Sequence, residues 1–87
     1  MAEVHLPRNL VELFPTAPHK LLLEADTVAD LVRTLDERWP GMWDRLCTVG
    51  PAVRQHINIF VDGEKGGLDT AVSPGAVVRI IPAVSGG

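Results

Sequence analysis

The chain has 87 residues, 46% hydrophobic and 22% charged, with eight basic against eleven acidic side chains and a formal net charge of -3 at pH 7. That size and balance fit one small globular domain and exclude both a disordered chain and a collagen-like fibre. Its only lysines are Lys20 and Lys65 and it holds no basic run, against nucleic-acid binding, and its apolar stretches fall far short of the roughly 20 residues a membrane span needs.

Ala2 to Pro7 alternates weakly, with Val4 and Leu6 as the apolar pair, and reads as a strand that carries no secretory h-region. Pro15, Thr16, Ala17 and Pro18 mark a turn. Lys20 to Glu24 reads as a second strand, pairing with the first as a hairpin with a wide loop. A helix follows. Thr27 with Asp30 three positions on is a capping-box-like start, and Val28, Leu31, Val32, Leu35 and Trp39 recur at helical spacing. Pro40-Gly41 ends it, Met42 to Leu46 adds a short helical turn, and Thr48 to Pro51 reads as loop.

His56 to Val61 reads as a third strand, with Ile57, Ile59 and Val61 on one face and Asn58 and Phe60 on the other. Asp62-Gly63 is a turn signal. Gly66-Gly67 and Ser73-Pro74-Gly75 bracket a short apolar piece, Leu68 to Val72, read as a short strand. Ala76 to Ile81 makes the last strand, with Val78 and Ile80 toward the helix. Arg79, Ile81 and Phe60 then share the open face of the sheet, a candidate docking patch. Strands before and after one helix make an α+β arrangement.

Pro82 has no backbone donor and suits the end of an edge strand. After it come Ala83, Val84, Ser85, Gly86 and Gly87, uncharged residues that reach at most about 17 Å at roughly 3.4 Å each. A terminal Gly-Gly offers an α-carboxylate on a thread without Cβ atoms, able to enter a narrow channel. A carboxylate can attack the α-phosphate of ATP, but Gly63-Glu64-Lys65-Gly66-Gly67 lacks the spacing and the Ser/Thr of a phosphate loop. The activating machinery is therefore expected on a partner.

Ser73-Pro74-Gly75, then Ile80-Ile81-Pro82-Ala83-Val84-Ser85-Gly86-Gly87 after a strand, resembles the ThiS/MoaD group of ubiquitin-like sulfur carriers, over essentially the whole chain. Asn58-Ile59-Phe60-Val61-Asp62, Gly66-Gly67-Leu68 and the Pro-Ala-Val-x-Gly-Gly ending are most similar to CysO-type and actinobacterial MoaD-like members. The longer N-terminal half argues against a short ThiS-type chain. The resemblance implies a β-grasp fold: a mixed sheet of four to five strands packed on one main helix over residues 1–82, with a flexible, extended C-terminal tail over residues 83–87. It also implies a cycle in which a ThiF/MoeB-like adenylating enzyme, using ATP and Mg²⁺, activates the Gly87 carboxylate. A sulfur donor, acting directly or through a rhodanese or cysteine desulfurase, then leaves a thiocarboxylate.

The implied recipient is a sulfur-accepting synthase making cysteine, a thiosugar or another sulfur metabolite, with a metalloprotease that cleaves product from the tail in the CysO-type route. Gly87 is then the reacting residue, Gly86 gives clearance, and Pro82 to Ser85 give reach. Ile81 takes the position before the proline that contacts the activating enzyme. The chain itself is expected to be a carrier rather than an enzyme, with no bound cofactor or metal, monomeric when free and cytoplasmic.

The alternatives are the small subunit of molybdopterin synthase, a ubiquitin-like modifier joined to lysines, and an interaction module whose Gly-Gly is accidental. His5, His19 and His56 are scattered without ligand spacing. The single Cys47 excludes an intramolecular disulfide and reads as a small buried hydrophobe. Asp36 and Glu37 read as charges on the solvated helix face, and Trp39 and Trp43 as core or rim packing.

Overall fold

The computed structural model describes residues 1–82. Strand β1 (Ala2–His5) buries Ala2 and Val4 and leaves Glu3 and His5 half-buried on the other face, as period-two alternation requires. It pairs antiparallel with β2 (Lys20–Leu23), Val4 opposite Leu21 and His5 opposite Lys20. The hairpin expected from the sequence is therefore present, but its connection is not plain loop. Arg8–Leu13 forms a short helix, α1, started after Pro7 and ended at Phe14 before Pro15. Leu10 is its one buried side chain, so it has no repeating stripe to betray it.

The main helix, α2 (Val28–Arg38), buries Val28, Leu31, Val32 and Leu35. The Thr27 hydroxyl accepts the Asp30 N–H at 3.2 Å, the first half of the anticipated capping box. The Asp30 carboxylate turns instead to Arg33, 3.4 Å away. Trp39 leaves the helix at φ -131, ψ 85, because a residue before proline is pushed out of the helical region. Its indole N–H donates to the Thr16 hydroxyl at 2.8 Å.

Met42–Leu46 forms α3, as expected, and buries Met42 and Leu46. Its start is built by Asp36, whose Oδ1 accepts the N–H groups of Gly41 at 3.1 Å and Trp43 at 2.9 Å. Asp36 is thus a structural cap and not merely a solvated charge. Gly41 takes φ +103 there, a region that costs a side-chain-bearing residue strain. Thr48 is not loop: β3 (Cys47–Thr48) and β4 (Ala52–Val53) make a separate two-stranded sheet.

Strand β5 (Ile57–Val61) is followed by Asp62 and Gly63 at φ 51 and φ 87, the two positive φ angles of a type I′ hairpin. The partner is β6 (Glu64–Gly66), paired Phe60 to Lys65 and Val61 to Glu64. This corrects the short strand expected at Leu68 to Val72, a segment that makes only an isolated bridge, Thr27 to Ala71. Its carbonyls are committed elsewhere. Thr70 and Leu68 accept the N–H groups of Val28 and Ala29, each at 3.0 Å, and the Val72 N–H donates to Asp26. The segment satisfies the open first turn of α2, whose N–H groups have no partner within the helix.

The last strand, β7 (Val77–Pro82), buries Val78 and Ile80. The sheet order is β2-β1-β7-β5-β6, with β1 and β7 parallel at the centre. Pro82 therefore does not end an edge strand. The pairing with β1 stops at His5 and Arg79, however, and Ile80, Ile81 and Pro82 pair only with β5. A residue without an N–H is tolerated there. Five strands, mixed in direction, cover one main helix, the β-grasp arrangement expected from the sequence.

Candidate functional site

Two different surfaces lie on the two sides of the sheet. One side packs on α2 and closes the core, which runs from Ala2 to Ile80. The other is open. Register alone places its residues: Phe60 lies opposite Arg79, and Asn58 opposite Ile81. Directly opposed side chains have Cβ atoms about 4.5–5.5 Å apart and diagonal ones about 7–8 Å, so Ile81 reaches Phe60 across one step of the ladder. Phe60 is half-buried, Arg79 is exposed, and Ile81 is 41% exposed. The three residues expected to form a docking patch are thus brought together on one face.

The sheet adds neighbours that the sequence did not reveal. Arg79 is flanked on its other side by His5, His5 by Lys20, and Phe60 by Lys65. Glu3 and the exposed Leu22 sit one row away. The His5 Nε2–H donates to the Glu3 carboxylate at 2.7 Å. That bond, with the positive charges of Lys20 and Arg79 behind it, holds the Glu3 carboxyl below the usual range against a smaller opposing effect of desolvation.

Other candidate chemistry does not assemble. Cys47 is buried, and burial pushes its thiol up to about 11, so it is protonated and inert at neutral pH. Among the described residues no three His, Cys, Asp or Glu side chains converge as a metal site. No helix among them is long and apolar enough to cross a membrane. A cleft of about 510 Å³ on the helix side is lined by Arg33, Trp43, Pro51, Val53, Leu68 and Asp69. The Arg33 guanidinium lies 5.6 Å from the Trp43 ring centroid, which occupies both groups, and no Ser, Thr, Cys, His or Lys side chain lines the cleft.

Of the tail residues singled out, Pro82 closes β7 beside Ile57. Ala83, Val84, Ser85, Gly86 and Gly87 lie outside the described residues. The last described residue, Pro82, is one residue beyond Ile81.

A protein-family model described as the ThiS family matches residues 4–87. Sulfur carrier protein CysO of Mycobacterium tuberculosis (strain ATCC 25618 / H37Rv) is 35% identical over 68 residues, covering 71% of this chain and 73% of that protein. Small archaeal modifier protein 3 of Haloferax volcanii is 34% identical over 65 residues, covering 70% of each. Among solved structures, a chain of the Amycolatopsis orientalis BexX/CysO complex matches with a TM-score of 0.88 and 26% identity over 100% of both chains. The fold is that of the ubiquitin-like β-grasp carriers.

Proposed function

The chain belongs to the ThiS family, and on that premise we propose that it is a sulfur carrier whose reacting group is the carboxylate of Gly87. A ThiF/MoeB-like partner supplies ATP and Mg²⁺. One carboxylate oxygen attacks the α-phosphorus, pyrophosphate leaves, and an acyl-adenylate forms. A sulfur nucleophile of the hydrosulfide class attacks the acyl carbon, AMP departs, and a thiocarboxylate remains. A biosynthetic synthase then takes the sulfur into cysteine, a thiosugar or a related metabolite. The chain is co-substrate in this cycle, and the catalytic groups belong to its partners.

The observation that carries this reading is the register of β5 on β7, which sets Phe60, Arg79 and Ile81 on one open face immediately before the tail. Docking through that face brings Pro82, after which the reacting tail continues, to the partner. Gly86 keeps the thread narrow and Gly87 reacts. A second reading, the ubiquitin-like modifier, is favoured by the 34% identity to small archaeal modifier protein 3. It shares the activation step and differs in the nucleophile, a lysine amine in place of sulfur.

Intact-protein mass spectrometry separates them. The untagged chain is incubated with ATP, Mg²⁺, a ThiF/MoeB-like enzyme and sulfide. A mass gain equal to one oxygen replaced by sulfur, lost when Gly87 is deleted, is the expected result. An unchanged mass, with the enzyme active on another carrier, overturns the carrier reading, and lysine-linked adducts in extracts then support the modifier.

A further inference from the structure

The charges of the open face extend well beyond the docking patch. Lys20, His5, Arg79, Phe60 and Lys65 form a single row crossing all five strands. Four strand spacings of about 4.8 Å give it a width of about 19 Å. Both lysines of the chain stand in it, one on each edge strand. Lys20, Arg79 and Lys65 are exposed and form no salt bridge with the described residues.

The row itself holds no carboxylate. Glu3, one row away, is bound to His5. The Asp62 carboxylate is engaged at the β5–β6 turn by the Val77 N–H, 2.9 Å away. Glu64, opposite Val61, falls on the alternate side of the strand. Apart from the three cations and Glu3 of this face, the chain has five arginines against ten carboxylates. The open face thus carries three cations against one carboxylate in a molecule that is acidic elsewhere, with Phe60 and Ile81 between the two lysines.

We propose that this face docks on an acidic protein surface: an apolar recess receiving Phe60 and Ile81, flanked on both sides by carboxylates that meet Lys20 and Lys65. Identifying that protein as the activating enzyme rests on the carrier reading; the chemistry of the surface does not. The polarity also orients the encounter. The acidic partner attracts the cationic row and repels the acidic remainder, so the open face, with β7 at its centre, arrives foremost.

Two measurements test it. In the first, the ¹⁵N-labelled chain is titrated at low salt with a synthetic Glu/Asp-rich peptide containing a central leucine. Amide shifts are expected at Lys20, His5, Phe60, Lys65 and Arg79. They should vanish in Lys20→Glu/Lys65→Glu and on raising the salt, as screening requires, but persist in Arg45→Glu/Arg54→Glu, which changes net charge equally on another face. No shifts, shifts elsewhere, or equal shifts with a single-stranded oligonucleotide of the same charge overturn the proposal.

In the second, Lys20→Glu/Lys65→Glu is expected to raise KM for adenylation at least tenfold at low salt with kcat unchanged. An unaltered KM, with an enzyme that activates the native chain, overturns the role of the row. Failure of that enzyme to activate the native chain counts against the carrier reading, while the peptide titration still decides the face.

Discussion

Ile81 stands between two contradictory demands. Its neighbour Ile80 is buried, whereas its own side chain is 41% exposed, so the fold uses only part of the isoleucine there. Ile81→Asp should therefore cost about 1–2 kcal/mol of folding stability, from the covered part of the side chain and the low strand propensity of Asp, and leave the domain folded. If the face docks a partner, the same change puts a carboxylate into the apolar centre of the contact. A loss of about 2 kcal/mol, or roughly 30-fold in the KM of activation, is the expected size for a central anchor. Unaltered kinetics in a folded variant remove Ile81 from the docking patch. Cys47 gives the converse case, a chemical group disarmed by packing. With the thiol pushed to about 11, its alkylation at pH 7.5 should run on the order of 100-fold slower than that of an ordinary thiol of pKa about 8.5, and reach the ordinary rate in denaturant. The linkage has a definite sign: the unfolded thiol ionises first, so the thiol's contribution to stability is present below its unfolded pKa and declines as pH rises toward 11. Cys47→Ala should flatten that part of the pH profile, and native-state alkylation at the ordinary rate would contradict the burial.

At the scale of elements, Asp36 joins α2 to α3 by accepting two N–H groups from the α3 start. Asp36→Ala leaves both unpaired in a partly buried turn, and a loss of about 1–2 kcal/mol is expected from cap replacement. Chemical denaturation measures it, and Asp36→Asn, which keeps the accepting oxygen, should restore most of it. Loss of stability equal in both variants would show that the charge, and not the cap, matters. Asp36 also marks the limit of what the sequence discloses. Helix α2 was legible because Val28, Leu31, Val32 and Leu35 repeat at its period, and β5 and β7 because their apolar residues alternate. Helix α1 has one buried side chain, and β3 and β4 have two residues each, too few for any period to show. Leu68 to Val72 looked like a strand because its apolar content is real. Leu68 and Val72 are indeed buried, but the backbone there serves the first turn of α2. The site was half legible for the same reason. Alternation assigned Phe60, Arg79 and Ile81 to one face, whereas the adjacency of Lys20, His5 and Lys65 depends on strand order, which pairs residues far apart in sequence.

The whole molecule separates what keeps it folded from what it delivers. The buried side chains of the described residues run from Ala2 to Ile80 and meet around α2, with Leu31, Val32, Leu35 and Ile80 almost wholly enclosed. An 87-residue domain holds about 4–13 kcal/mol of stability at 0.05–0.15 kcal/mol per residue. Leu35→Ala, which removes buried atoms and leaves a cavity, should cost about 2–5 kcal/mol of that. Truncation after Pro82 removes none of those contacts. It should shift Tm by less than about 4 °C, the smallest shift that 1 kcal/mol makes in a domain of this size, and still abolish sulfur loading. Leu35→Ala should show the opposite pattern, a large fall in Tm with loading retained below the transition. Calorimetry and intact mass on the same two variants decide the matter. A truncated chain that melts far lower would place residues 83–87 in the folding unit, and a truncated chain that still gains sulfur would move the reactive group away from Gly87.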